Sequence, residues 1–192
     1  MTAVLKHKLT AAEYLEIERQ AEIKSEFYDG EMFAMSGGTY RHSRLRTNLV
    51  AIFEAMLSGK RCRATDSDLR VRIESTDFYT YPDLSISCGR VEFEDEKQDV
   101  LLNPTVVIEV LSDSTASYDR GKKFWHYRHI ASLTDYVLVS HDEPLIEHYT
   151  RQDNGGWLLR TVEGEAGLLR IDSIGCEIPL REIYRDIDPP GE

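Results

Sequence analysis

The stretch Tyr81-Pro82-Asp83-Leu84-Ser85-Ile86-Ser87, with Val106-Val107-Ile108-Glu109-Val110-Leu111-Ser112 after it, decides how this chain is read. Both pieces have the character of strands meant for burial: short, rich in Val, Ile and Leu, and bounded by turn residues. Yet each carries one carboxylate, Asp83 or Glu109. A buried carboxylate without a partner is costly, so proteins neutralise it, pair it or give it a cation. Two of them, 26 positions apart on consecutive strands of one sheet, point to a shared divalent metal. A plainer alternative stands beside that one: one acid pairs with a nearby Arg, and the other meets water at a strand end.

Outward from these strands, the pattern predicts an α/β fold. Thr10-Ala11-Ala12-Glu13 has capping-box spacing and opens a first helix to about Ala21. Glu26 to Phe33 reads as a hairpin turning at Asp29-Gly30. Leu45, Leu49, Ile52, Phe53 and Met56 recur at helical spacing between Tyr40 and Leu57. Strands follow at Arg61 to Thr65, Leu69 to Glu74, and the two carboxylate segments. A second long helix is predicted over Ser114 to Ile130, then a strand at Asp135 to Ser140. Leu145 to Tyr149, Trp157 to Val162, Leu168 to Ile171 and Glu177 to Leu180 alternate like antiparallel strands, before a helical turn near Ile183. The acidic run Glu92 to Asp99 is expected to be solvated and is given no role. Trp125 and Trp157 are expected to pack, and Asp188-Pro189-Pro190-Gly191 to fray.

The 192 residues fit one domain, 1–192, with a core over about 10–150 and a strand extension over about 144–185. No apolar run reaches the length of a membrane span, and Met1 to Thr10 lacks the apolar core of an export signal. Cys62, Cys88 and Cys176 are odd in number and widely spaced, which argues against a disulfide framework or structural zinc and favours the cytoplasm. The net charge of −11 opposes a generic nucleic-acid binder. That charge is uneven: residues 131–192 hold five basic and thirteen acidic side chains, whereas residues 1–60 hold eight of each. A polyanion could therefore approach the front of the chain.

The helix after Glu109 sharpens the chemistry. Asp119, Lys123 and Tyr127 fall at i, i+4 and i+8, along one face. Its first half should lie near the carboxyl end of the Glu109 strand, the edge where sites gather in open α/β sheets. A Lys there could orient a water or stabilise charge developing on a phosphate. The alternative is an exposed Asp119–Lys123 helix pair of a few tenths of a kcal/mol. His42, with Tyr40, Arg41, Arg44 and Arg46, opens the long helix, where the dipole favours an anion. An ordinary helix-start histidine is the other reading.

These residues, taken in order, resemble the PD-(D/E)XK nuclease superfamily and, within it, the Uma-type restriction endonucleases of bacteria and especially cyanobacteria. The matching segments are Phe27-Tyr28-Asp29-Gly30-Glu31, His42, Tyr81-Pro82-Asp83, Val107 to Ser112, Thr115, Tyr118 to Lys123, Tyr127 and Asp135 to Val139. The resemblance implies a restriction-endonuclease-like core: a central mixed β-sheet flanked by helices, with additional antiparallel C-terminal strands. It implies Asp83, Glu109 and the Val110 carbonyl as ligands of Mg²⁺, with Mn²⁺ as a substitute. One departure is plain. The superfamily places Lys two positions after the second acid, where this chain has Leu111. The Uma-type pattern implies Lys123 instead, with Lys122 as the other possibility. Glu26 adds a further carboxylate by resemblance, or is a solvated strand residue.

The function so implied is a Mg²⁺-dependent endonuclease acting on DNA, with Lys123, His42 and Glu26 beside the metal and Arg41, Arg44 and Lys122 meeting the nucleic acid, assembled as a homodimer. The alternative is a catalytically inactive nuclease-like module that binds nucleic acid or protein.

Overall fold

Cross-strand register sets the architecture of the computed structural model, which describes residues 8–187. Six strands form the central sheet: β3 (Cys62–Asp66), β6 (Leu84–Cys88), β8 (Val106–Val110), β9 (Asp135–Val139), β10 (Leu145–Arg151) and β11 (Trp157–Glu163). They lie in the order β11-β10-β9-β8-β6-β3. β8 and β9 pair in parallel and every other neighbour is antiparallel, so the sheet is mixed. A parallel pair needs a crossover connection. Here it is a broken helix: α3 (Ala116–Tyr118), a π turn (Asp119–Lys123) and α4 (Phe124–Tyr127).

Alternation along β8 explains how the sheet is covered. Val106, Ile108 and Val110 face the long helix α2 (Tyr40–Leu57), packing with Leu45, Leu49 and Phe53. Val107 and the following Leu111 face the other way, against Tyr127, Leu133 and Tyr136. Glu109 shares that second face because side chains alternate with period two. On the α2 side, a hairpin of β12 (Leu168–Ile171) and β13 (Cys176–Pro179) leads into α5 (Leu180–Ile183) and closes the layer. Asn48 Nδ2 ties α2 to this unit by donating to the carbonyls of Ile183 and Arg185, at 2.9 and 2.8 Å.

A second sheet, ordered β2-β1-β5-β4-β7, flanks the first. It comprises β1 (Ser25–Tyr28), β2 (Glu31–Ala34), β4 (Arg70–Ile73), β5 (Phe78–Thr80) and β7 (Val100–Leu101). Helix α1 (Ala11–Glu18), held by the expected Thr10–Glu13 capping box, packs Tyr14 onto Phe27 and Tyr79.

Several expectations change. The predicted helix over Ser114 to Ile130 is interrupted by the π turn and ends at Tyr127. β5 and β7 were not anticipated; at three and two residues they are too short to show a period. The acidic run is not free in solvent. Arg19 grips Asp95 and Asp99 at 2.7 and 2.8 Å, Arg70 grips Asp99 at 2.5 Å, and Arg72 grips Glu94 at 2.6 Å. Those acids hold the loop against the second sheet. Cys62 and Cys88 form a disulfide, contrary to the reading of widely spaced thiols. The reason is register: the two residues lie directly opposite on β3 and β6, a neighbourhood that spacing along the chain does not reveal. The bridge also removes the thiol-based argument for a reducing compartment. Among the described residues no helix is long and apolar enough to cross a membrane. The first seven residues and the Asp188-Pro189-Pro190-Gly191 tail lie outside the described residues.

At the start of β9, Asp135 is buried and accepts from His148 Nε2 at 2.7 Å, Ser173 Oγ at 2.5 Å and Thr134 Oγ1 at 2.7 Å. Burial pushes its carboxyl up, but these bonds prevail and hold it below the ordinary value of 3.8. A depressed folded pKa contributes stability that is complete above the unfolded pKa and is lost as pH falls through the folded one. Asp135→Ala should cost on the order of 3 kcal/mol in urea unfolding at pH 7, because the His148, Ser173 and Thr134 donors lose their buried acceptor. The difference from wild type should shrink as the pH falls below the ordinary carboxylate range. A difference that stays constant down to pH 2 would contradict this account.

Candidate active site

The site assembles where β6 begins and β8 ends, which antiparallel pairing makes the same place. Asp83 precedes β6; Val110 N–H donates to its Oδ2 at 2.8 Å, and its own N–H approaches Glu109 Oε2 at 3.4 Å. The two strand carboxylates thus flank one backbone junction. From the α2 side, His42 Nε2 reaches Asp83 Oδ2 at 3.2 Å and Arg46 reaches Oδ1 at 3.8 Å. His42 and Arg46 are i and i+4 on the helix and so share a face. Thr39 caps that helix by accepting from His42 N–H. The preceding loop packs on the ring so closely that a Cβ at Gly38 would sit 2.9 Å from His42 Nδ1.

From the other side, the π turn delivers Lys123. Its Nζ lies 2.8 Å from Glu109 Oε1 and 3.7 Å from both Glu26 Oε1 and Asp119 Oδ1. All four residues are buried. Tyr127 donates to Glu109 Oε1 at 3.0 Å. Glu26 is fixed by Thr80 Oγ1 at 2.5 Å and Tyr118 OH at 2.8 Å. These groups open together into a cleft of about 600 Å³.

Burial and charge act oppositely here. Burial pushes the Glu109 carboxyl up to about 8, against the pull of Lys123. Burial likewise raises Asp119, again opposed by Lys123. Burial alone would lower the Lys123 ammonium, but Glu109, Glu26 and Asp119 together hold it above its ordinary range, so it stays charged. Burial would raise Asp83, yet the His42 hydrogen bond and charge, with Val110 N–H and Lys123, hold it low. Burial would lower His42, and Asp83 instead raises it.

Of the sequence-predicted residues, Asp83, Glu109, Val110, Lys123, Glu26 and His42 are brought together around this cleft. Lys122 is exposed, whereas Lys123 is buried within the group, which distinguishes the two. Asp119 and Lys123 are not an exposed helix pair, and Glu26 is not solvated. Arg41 is engaged with backbone, donating to the carbonyls of His141 and Asp142. Arg44 is half-buried on α2. Arg46, Tyr118 and Tyr127 were named in the sequence but given no contact at the site, where they reach Asp83, Glu26 and Glu109. Thr80, which donates to Glu26, was missed, because nothing along the chain marks a threonine that ends a three-residue strand. Among the described residues, the trio whose ligand atoms lie within 4.8 Å of one another is Asp113, His141 and Asp142, beyond the ends of β8 and β9. The expected ligands are not drawn into such a group; the Lys123 ammonium is lodged among them.

A family profile described as "Uma2: Putative restriction endonuclease" matches residues 11–181. The chain belongs to the Uma2 family. Two curated relatives come from Synechocystis sp. (strain ATCC 27184 / PCC 6803 / Kazusa). The uncharacterised protein slr1290 is 38% identical over 181 residues, covering 94% of this chain and 93% of the relative. The uncharacterised protein sll1609 is 37% identical over 157 residues, covering 82% and 89%. A crystal structure described as a putative nuclease belonging to DUF820, from Anabaena variabilis ATCC 29413, superposes with a TM-score of 0.76. It spans 92% of this Uma2 chain and 97% of its own at 20% identity, a likeness of fold.

Removing the buried cation tests this electrostatic description of the Uma2 cleft. Lys123→Met leaves Glu26, Glu109 and Asp119 without it and should destabilise the fold by about 3–5 kcal/mol at pH 8. The loss should be smaller at pH 5, where carboxyls with raised pKa take up protons instead of staying charged. Urea unfolding at the two pH values reads the difference; a pH-independent loss would refute the charge argument.

Proposed function

We propose that this Uma2 protein is a divalent-metal-dependent endonuclease of DNA, acting as one nuclease-like unit. The single observation that carries the reading is the convergence of Lys123 with Glu26, Glu109 and Asp119 in the cleft that Asp83 also lines. Four carboxylates there face two permanent cations, Lys123 and Arg46, and the donors are hard oxygens. That donor set fits Mg²⁺ or Mn²⁺. Asp83, Glu109 and the Val110 carbonyl would hold the ion. When bound, it supplies Lewis-acid neutralisation of the phosphodiester and activates water.

The chain's own groups do the rest. Lys123 keeps its proton and offers a fixed positive charge where negative charge develops on the phosphate. Glu26, clamped by Thr80 and Tyr118, holds Lys123 from one side as Glu109 does from the other. His42 fixes the Asp83 carboxylate. Arg44 and Lys122 would meet flanking phosphates, with Arg41 steadying the loop at His141. DNA as substrate would put this work in the cytoplasm, and the family resemblance implies a homodimer, which sedimentation would read.

Supercoiled plasmid should be nicked in Mg²⁺ or Mn²⁺, and Lys123→Ala or Asp83→Asn should lower the rate by about 10²–10³. Activity that persists in both variants would belong to a contaminant. In calorimetric titration, Mn²⁺ uptake should strengthen as pH rises toward about 8, because Glu109 must shed its proton to ligate. Glu109→Gln should flatten that dependence; equal uptake by wild type and variant would overturn the ligand assignment. DNA retention without cleavage in either metal would instead favour a binding module.

A further inference from the structure

The cleft has a second wall that the phosphodiester chemistry does not use. In the β1–β2 hairpin, Glu26 lies directly opposite Phe33, and directly opposed residues share a face of a two-stranded ribbon. Since Glu26 turns toward Lys123, Phe33 faces the same cleft. One step further along that face, Met35 N–H bonds to the Lys24 carbonyl, and Met35, Lys24 and Ile23 also line the cleft. Phe33 keeps 48% of its surface exposed and Ile23 64%. A large aromatic surface thus stands free one cross-strand pair from a carboxylate held 3.7 Å from Lys123.

Charge restricts what can occupy this wall. Duplex binding rests on many phosphate contacts, and the chain carries −11 overall. The basic groups that line the cleft are engaged, Lys24 with Asp68, Arg46 with Asp83 and Lys123 with Glu109. Further out, so are Arg120 with Glu147 and Arg41 with two carbonyls, which leaves Arg44 and Lys122 for flanking phosphates. Affinity for a polynucleotide must then come in good part from contact with bases. An aromatic side chain can stack on a base only when that base has left the duplex stack.

We propose that the Phe33–Met35 wall takes an unpaired nucleobase next to the scissile phosphate, so that single-stranded or locally unpaired DNA is the substrate class. The inference rests on the nuclease reading of the same cleft, but its test does not depend on turnover. A fluorescein-labelled 20-mer is titrated by anisotropy, with Ca²⁺ in place of Mg²⁺, as a single strand and as a blunt duplex of the same sequence. The single strand should bind more tightly. Phe33→Ala should weaken single-strand binding by about 5- to 100-fold, the range expected for loss of one base–aromatic stack, and leave duplex binding little changed. Phe33→Trp should restore it. Phe33 is half exposed, so the fold should survive, which circular dichroism checks. Equal or tighter duplex binding, or single-strand affinity unchanged in Phe33→Ala, would overturn the proposal. So would a Phe33→Ala change confined to oligomeric state, which would make the wall a contact with a second copy. Cleavage is measured separately in Mg²⁺: preferential cutting of duplex sinks this inference and leaves the nuclease, whereas stacking without any cutting sinks the nuclease and leaves the base site.

Discussion

The Lys123–Glu109 contact at 2.8 Å is the constraint around which the rest is arranged. At an effective dielectric near 20, an ion pair at that distance gains of order 5 kcal/mol. Withdrawing the two charges from water costs several kcal/mol for each ion. The terms nearly cancel, so the pair adds little net stability by itself. Its consequence is conditional: once the carboxylate is buried, either the cation must be present or the carboxyl must take up a proton, a choice that the raised Glu109 pKa leaves close to balance. Glu109 is committed to burial by its place in β8, between Ile108 and Val110 in the middle of the sheet. The crossover segment brings a cation to it, and the cation brings Glu26 and Asp119 into the same small volume.

That dependence orders the surrounding elements. Glu26 is useful only if β1 runs beside the crossover, and Thr80 of β5 together with Tyr118 secures it there. Tyr127, one turn beyond Lys123, donates to the same Glu109 oxygen that Lys123 contacts. Tyr136 of β9 donates to the Asp119 carbonyl at 3.0 Å, pinning the π turn to the sheet from below. The second sheet, the crossover and the central sheet thus meet at one polar point inside otherwise apolar layers. Polar networks of this kind define a single arrangement because partial satisfaction is so costly.

Much of this was legible in the sequence for one reason: a carboxylate in an apolar strand breaks a pattern. Asp83 and Glu109 stood out on that ground, and Lys123 followed from helical spacing to Asp119 and Tyr127. What stayed hidden was register and depth. The Cys62–Cys88 bridge depends on which residues face each other across β3 and β6. The acidic run looked solvated because its partners, Arg19, Arg70 and Arg72, lie far from it along the chain. The surface-pair alternative for Asp119 and Lys123 stayed open in the sequence because spacing reports a face but not what covers it. The apolar wall at Phe33 was hidden for a related reason: its place in a hairpin does not tell which face is covered, and only the structure shows the ring exposed.

The departure at position 111 then has a physical account. Glu109 and Leu111 lie on the same face of the same strand, so a lysine at either 111 or 123 could reach the carboxylate neighbourhood. With Leu111 there, the strand instead offers an apolar contact that packs with Tyr127 and Tyr136. That packing holds the crossover segment down on β8, and the segment carries the charge. Strand and helix have divided two tasks, adhesion and electrostatics, that a strand lysine would have to combine. The π turn belongs to this division. Its widened ring sets both Asp119 and Lys123 inward while the next turn still presents Tyr127 to Glu109, and such turns concentrate at functional sites. With Tyr127 and Tyr136 fastening the crossover to the sheet, the lysine it carries stands within 2.8 Å of Glu109, so its displacement from the strand is no argument against chemistry at this cleft.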